Sequence, residues 1–273
     1  ISASSEVSLD IAPKAAKLGS IAIDDSSAFR MDETVPLVVP EVNSQDLAEH
    51  KGIISIPNCS TTPLTMVLHE LGKLAKINRV IVDTFQSVSG AGAGAVVELD
   101  SQNHAMYENS EIQTSIHPHR IAFNVIPQID KFTKSGYTNE EMKMVNETKK
   151  ILHQPDLKIS ATCVRVPVKI GHSEAIHIEF DQNIELEKAY SALANSPGIT
   201  LLDDPKNNHY PMPINSEYKD DVMVGRLRKD VSLPNGLVLW LSCDNLRKGA
   251  ALNAIQIAES MIEKRLIRKQ RNK

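Results

Sequence analysis

The chain holds 273 residues, 41% of them apolar and 23% charged, and 30 Lys and Arg against 34 Asp and Glu leave a net charge of −4. That balance is ordinary for a globular protein; it excludes long disorder and offers no general attraction for nucleic acid or a membrane surface. A chain of this length suggests one large domain or two ordinary ones and folds without a disulfide or metal staple.

The opening Ile1-Ser2-Ala3-Ser4-Ser5 has neither an initiator Met nor the charged-then-apolar pattern of a leader, and reads as the interior of a longer protein. The spacing predicts a helix over 10–18 stopped by Gly19, then strands over 20–23, 35–39 and 53–56. Next comes a helix over 59–75 with Leu64, Val67, Leu68, Leu71, Leu74 and Ala75 on one side, and a strand over 79–88. Thr138 and Glu141 have capping-box spacing at the start of a helix reaching about 152. Strands flanking Gly171-His172 fill 159–180, a short helix 185–194, strands 221–228 and 237–243, and a closing helix 247–268. The basic end of that helix, Lys264, Arg265, Arg268 and Lys269, suits the negative end of the helix dipole and reads as a solvated terminus. Helices alternating with strands indicate an α/β architecture. No G-x-G-x-x-G or G-x-x-x-x-G-K follows an early strand, so no phosphate-cradling loop is legible.

The three cysteines, Cys59, Cys163 and Cys243, are odd in number, widely spaced and without a C-x-x-C pair. They argue against a disulfide framework or a zinc site and for a reducing compartment, which points to the cytoplasm. The longest apolar runs, such as 237–241, are too short to cross a bilayer. Cys59 follows a strand, Pro57 and a capping Asn58, which puts it in the first turn of the next helix. Unpaired N–H groups and the helix dipole there favour a thiolate and suit covalent catalysis on a carbonyl. The same spacing equally fits a small buried hydrophobe beside a cap. Alternation puts His172 on the buried side of its strand with Glu174, Ile176, Ile178 and Phe180, as a proton partner or a satisfied core histidine, and turns His177 outward. His117-Pro118-His119 lacks a third ligand and reads as surface. Arg165 stands among Val164, Val166 and Val168 as either an edge charge or an anion ligand. Glu140 and Lys143 form an i, i+3 pair whose default is an exposed ion pair.

Nine ordered strings give these pieces a common source: 24–31 (DDSSAFRM), 35–43 (VPLVVPEVN), 57–62 (PNCSTT), 86–92 (QSVSGAG), 121–130 (IAFNVIPQID), 141–148 (EMKMVNET), 163–168 (CVRVPV), 171–174 (GHSE) and 244–253 (DNLRKGAALN). Together they resemble the aspartate-β-semialdehyde dehydrogenase family, in the branch typical of Gram-positive bacteria and cyanobacteria. The resemblance implies a cytoplasmic enzyme that reduces L-aspartyl-4-phosphate to L-aspartate 4-semialdehyde with NADPH. It serves the synthesis of threonine, methionine, isoleucine and, through diaminopimelate, lysine. It implies Cys59 as the nucleophile that forms an acyl-thioester, His172 as acid/base and Gln86 as a positioner of the acyl group. Arg165 would bind the substrate carboxylate, Glu140 its amino group, Arg30 and Lys143 its phosphate, with Asn58 beside them. Ser89, Gly90, Asn245, Ser2 and Ala3 would contact NADP(H), and no metal is implied.

By the same resemblance, 1–57 is the remnant of a Rossmann-type cofactor domain whose first βαβ unit is missing, and 58–245 is a larger mixed-sheet catalytic and dimerisation domain. The segment 246–273 returns to the cofactor domain. A homodimer or homotetramer is expected, and a chain lacking that unit is expected to bind NADPH poorly and to be unstable. Competing readings are a dimerising fragment without activity and a Cys59–His172 hydrolase. N-acetylglutamyl-phosphate reductases and glyceraldehyde-phosphate dehydrogenases share the Cys–His logic but differ around the cysteine.

Overall fold

The computed structural model describes residues 1–267; Arg268 and Lys269 of the predicted basic helix end lie outside the described residues. In chain order the elements are α1 (Ser5–Lys17), β1 (Ala22–Asp24), α2 (Pro40–Asn43), β2 (Ile53–Ser55), α3 (Thr61–Gly72), β3 (Ile77–Gln86), α4 (Ala93–Tyr107) and α5 (Asn139–Ile151). There follow β4 (Lys158–Arg165), β5 (His172–Phe180), α6 (Leu186–Ala194), β6 (Ile199–Leu201), α7 (Pro213–Ser216), β7 (Val222–Lys229), β8 (Gly236–Cys243) and α8 (Leu252–Glu263). The architecture is α/β, with a parallel pair β1–β2 beside a six-stranded mixed sheet in the order β4-β3-β5-β8-β7-β6.

Several local expectations shift. Segment 35–39 makes only a single bridge, Leu37 to Ser55, because Pro36 and Pro40 cannot donate to a ladder and Pro40 opens α2. Cys59 lies ahead of α3 rather than in its first turn: the Asn58 side-chain oxygen accepts the Ser60 N–H at 2.9 Å and makes a tight turn of 58–60. The helix α4 is unexpected from the sequence, since its buried face, Ala95, Glu98, Leu99 and Gln102, is half polar. Glu98 and Gln102 accept N–H groups from the following loop at Ser115, His117, Ile121 and Ala122. His117 is accordingly buried against Glu98, 2.7 Å away, and not on the surface. The closing helix begins later than expected, after a wide π-type turn over Arg247–Ala251, and ends at Glu263 with Lys264 as its cap. The Thr138–Glu141 capping box is present as the spacing predicts.

One apolar cluster fills the space between α3, α5, α6 and one face of the large sheet, including Leu64, Leu68, Val80, Ile176, Phe180 and Leu241. Each such side chain contributes roughly 1.5–3 kcal/mol on burial. The register then decides what lies at the end of that face. Gln86 pairs with Arg165, Thr84 with both Cys163 and Glu174, and His172 with Cys243. Directly paired residues share a face, so a polar group of side chains continues the apolar one at the ends of β3, β4 and β5.

Candidate active site

That polar end faces the turn carrying Cys59, and between them lies a cleft of about 520 Å³. Ser2, Arg30, Asn58, Cys59, Ser89, Gly90, Glu140, Lys143, Arg165 and Asn245 all line it. Of the remaining residues singled out from the sequence, Gln86 and His172 lie buried directly behind the lining, while Ala3 is exposed and not part of it. Two larger hollows, of about 860 and 780 Å³, contain none of these residues.

Helix α5 supplies the acidic floor. Glu140 is buried and accepts from Asn58 Nδ2 at 2.8 Å, Gln86 Nε2 at 3.1 Å and Lys143 Nζ at 3.1 Å. Burial alone would raise its carboxyl; Lys143 and those two amide donors outweigh it and hold the group below its ordinary value. The pair with Lys143 is thus not the exposed bridge expected from its spacing, and Lys143 also reaches Asp130 at 3.1 Å. One turn on, Glu147 accepts Arg30 Nη1 at 3.2 Å and the backbone N–H of Asn58 at 2.7 Å, so one carboxylate fixes both a cation and the residue preceding Cys59.

The opposite wall is cationic and aromatic. Arg165 is buried, donates from Nη1 to the Ser87 carbonyl at 2.7 Å and lines the cleft. His172 is fully buried; Nδ1 sits 3.1 Å from both the backbone N and the hydroxyl of Ser87, while Nε2 has no partner. Burial, then Arg165, pushes the ring well below its ordinary value, so it rests neutral. Gly90 makes this arrangement possible, because a Cβ there would stand 3.1 Å from both Arg165 Nη1 and His172 Nε2.

Cys59 is partly exposed at the cleft. Burial, then Glu140, pushes its thiol up to about 12 against the opposing pull of Arg165 and Arg30. Cys59 lies ahead of the first turn of α3, outside the helix N-terminus where the sequence put it. Behind it, Gly249 of the wide turn is so close that a Cβ would come within 2.9 Å of the Cys59 Cβ. The turn is anchored by the buried Lys248, which donates to both Glu41 oxygens at 2.8 and 2.7 Å, to Asn253 and to Gln256. Asn245 ties the same turn to the other wall through Ser87, Ser89 and Gly171.

The donor set fits a nicotinamide cofactor. The cleft wall at Gly90 is a side-chain-free step beside the unpartnered Nε2, with the Ser89 hydroxyl and the Asn245 amide next to it. Among the described residues, no group of three or more His, Cys, Asp or Glu could hold a metal ion, and no helix is long and apolar enough to cross a membrane. Sequence reasoning passed over Ser87, Glu147, Lys248 and Gly249. Ser87 and Glu147 act partly through backbone groups that no residue pattern reveals; Lys248 and Gly249 were inside a matched string but signalled no role of their own.

A cysteine cleft where a small parallel sheet meets a large mixed one defines the class of the molecule, and the comparisons with known families name it. Residues 68–248 match the semialdehyde dehydrogenase dimerisation domain and residues 1–50 the semialdehyde dehydrogenase NAD binding domain. The enzyme of Bacillus subtilis named aspartate-semialdehyde dehydrogenase is 53% identical over 97% of this chain and 79% of its own length. That of Aquifex aeolicus is 51% identical with the same two coverages. The crystal structure of aspartate semialdehyde dehydrogenase II complexed with ASA from Vibrio cholerae superposes with a TM-score of 0.93 at 44% identity, covering 96% of this chain and 78% of that one. The chain belongs to the aspartate-semialdehyde dehydrogenase family, and its class of activity is oxidoreductase.

Proposed function

We propose that this cleft reduces L-aspartyl-4-phosphate to L-aspartate 4-semialdehyde, with NADPH as the cofactor and an acyl-thioester on Cys59. The observation that carries the reading is the gathering of Cys59, Arg165, Glu140, Arg30 and Lys143 around one cleft. Aspartyl phosphate carries a carboxylate, an ammonium and a phosphate, and the cleft offers a guanidinium fork, a carboxylate and two further cations to match.

In this reading Arg165 holds the carboxylate and Glu140 the ammonium, while Arg30 and Lys143 take the phosphate, with Asn58 fixing the Glu140 side. Gln86, anchored on Glu140, positions the acyl carbonyl. A carboxylate at Arg165 offsets the cation that disfavours protonated His172, which then takes the Cys59 proton. The thiolate forms a C–S bond to the acyl carbon as the C–O bond to phosphate breaks, and Arg30 and Lys143 stabilise the departing anion. Ser2, Ser89, Gly90 and Asn245 would hold the cofactor, which supplies the hydride that reduces the thioester. His172 then returns a proton as the aldehyde leaves Cys59.

A structure neighbour from Candida albicans, an aspartate semialdehyde dehydrogenase with NADP, supports the choice of phosphorylated cofactor (TM-score 0.73, 27% identity, covering 96% of this chain and 76% of that one). The dimerisation-domain match supports a homodimer or homotetramer. Three free cysteines support a cytoplasmic location, and the reaction supports a place in the synthesis of lysine, threonine, methionine and isoleucine. The division into 1–57, 58–245 and a returning C-terminal segment is supported by α8, which packs on β1 and α2.

The test is phosphate-dependent reduction of NADP with aspartate semialdehyde, followed in the parent and in Cys59→Ala. Turnover is expected only in the parent; an equally active Cys59→Ala, or cofactor-independent thioester hydrolysis, overturns the reading.

A further inference from the structure

We propose that Ser87 is a positioning residue whose hydroxyl sets the ring form of His172 and so frees Nε2 to accept the Cys59 proton. This rests on the reading of His172 as the acid/base and deepens it by naming the group that governs the ring.

Ser87 is fully buried just after β3, and each of its polar groups is engaged at the site. Its N–H meets His172 Nδ1 at 3.1 Å, and its carbonyl accepts from Arg165 at 2.7 Å. Its hydroxyl lies 3.1 Å from the same Nδ1 and donates to Asn245 Oδ1, also at 3.1 Å. The two contacts to Nδ1 ask for different things. A backbone N–H can only donate, so it favours the ring with its lone pair on Nδ1 and its proton on Nε2. That form has nothing at Nε2 with which to take a proton.

A hydroxyl can also accept. With its own hydrogen directed to Asn245, the Ser87 oxygen offers a lone pair to an Nδ1–H. In that second form Nε2 carries the lone pair, and Nε2 is the buried ring atom without a partner. The proton leaves Cys59 Sγ and binds Nε2, giving a thiolate and an imidazolium whose Nδ1–H stays on Ser87; no other proton moves. Glu174, two residues along the same strand, has both oxygens unpartnered and so makes no bond to the ring. Among the described residues Ser87 is the one side chain that hydrogen-bonds to the His172 ring; the Ser242 hydroxyl reaches only the His172 carbonyl.

Ser87→Ala keeps the N–H and the carbonyl and removes only the hydroxyl. We expect kcat to fall on the order of a hundredfold, the scale of a lost general base. The KM values for aspartate semialdehyde and phosphate stay within about twofold, because no substrate contact is touched. In protein labelled with ¹⁵N-histidine, the parent shows the averaged ring shifts of two exchanging forms and the variant those of a ring fixed with its proton on Nε2. Ser87→Thr restores both. The proposal is overturned if Ser87→Ala keeps kcat within about twofold of the parent, or if the parent ring itself is fixed with its proton on Nε2, a measurement that needs no variant to fold. His172→Asn separates the two levels: if it stays active the acid/base reading fails, whereas an inactive His172→Asn beside an active Ser87→Ala removes Ser87 alone.

Discussion

The six-stranded sheet and the two-stranded one keep their places by different means. Around the larger, a single apolar cluster runs from α3 and α6 through β3, β5 and β8. The smaller has only two modest clusters: four residues around Ala22 and Phe29, and six around Ile54, two of which, Ile257 and Met261, are borrowed from α8. What joins it to the rest is polar and directional. Lys248 pairs with Glu41, Asn253 donates to the Val38 carbonyl, Arg30 meets Glu147, and Lys150 donates to three carbonyls, of Arg30, Asp32 and Val35. Apolar burial is tolerant of small shifts, whereas hydrogen bonds fix angle and distance. The small sheet is thereby placed rather than massively stabilised, and Arg30 arrives at the cleft as part of that placement.

The contrast is sharpest where the apolar cluster is thickest. Phe180→Ala empties a fully buried site and is expected to lower global stability by about 3–5 kcal/mol in a denaturant titration, with both sheets affected alike. Lys248→Met, which leaves Glu41 in a largely buried site without its cation, is expected to cost about 3 kcal/mol. Here the loss should be uneven: amide hydrogen exchange in β1 and β2 accelerates well before that in β3 and β5. Equal acceleration in both sheets would dissolve the distinction.

The smallest effect concerns pH. Glu174 has both oxygens unpartnered, and burial pushes its carboxyl well above the ordinary value. Its folded form binds a proton more tightly than its unfolded form, so it destabilises the protein progressively as pH rises from the ordinary carboxylate range toward the raised value. Glu140 has the opposite sign: its stabilisation is present above the ordinary value and is lost as pH falls through the lowered one. Glu174→Gln should therefore raise stability at pH 8 by about 1 kcal/mol, the scale of one unsatisfied buried polar group, and by less at pH 4. Thermal melts at the two pH values measure the difference.

Most elements with a clean period were legible in the sequence, as α3, α5, β5 and β8 illustrate. Where the period was blurred by polar residues on the buried face, as in α4 with Glu98 and Gln102, the helix was invisible. Segment 35–39 has the composition of a strand, but its prolines permit only a bridge. At the site, residue types left Arg165 undecided and made Glu140–Lys143 an exposed pair, and only the family resemblance gathered the charged partners of the cleft; the turn of 58–60 that puts Cys59 ahead of α3 is not encoded in composition. Ser87 carries its weight through an N–H and a carbonyl as much as through its hydroxyl, and every residue but proline has both of those groups. Lys248 acts at a distance of 207 residues from Glu41, a separation over which one sequence offers no pairing signal.

The contact between Gly249 and Cys59 binds two positions into a single steric decision. With a Cβ at 249 already inside the van der Waals boundary of the cysteine, any growth on one side must be offset by retreat on the other. Cys59 has no room to retreat without losing its sulfur, so adaptation at this spot can proceed only by moving the whole wide turn, together with the Asn245 anchor that precedes it and the Lys248 anchor within it.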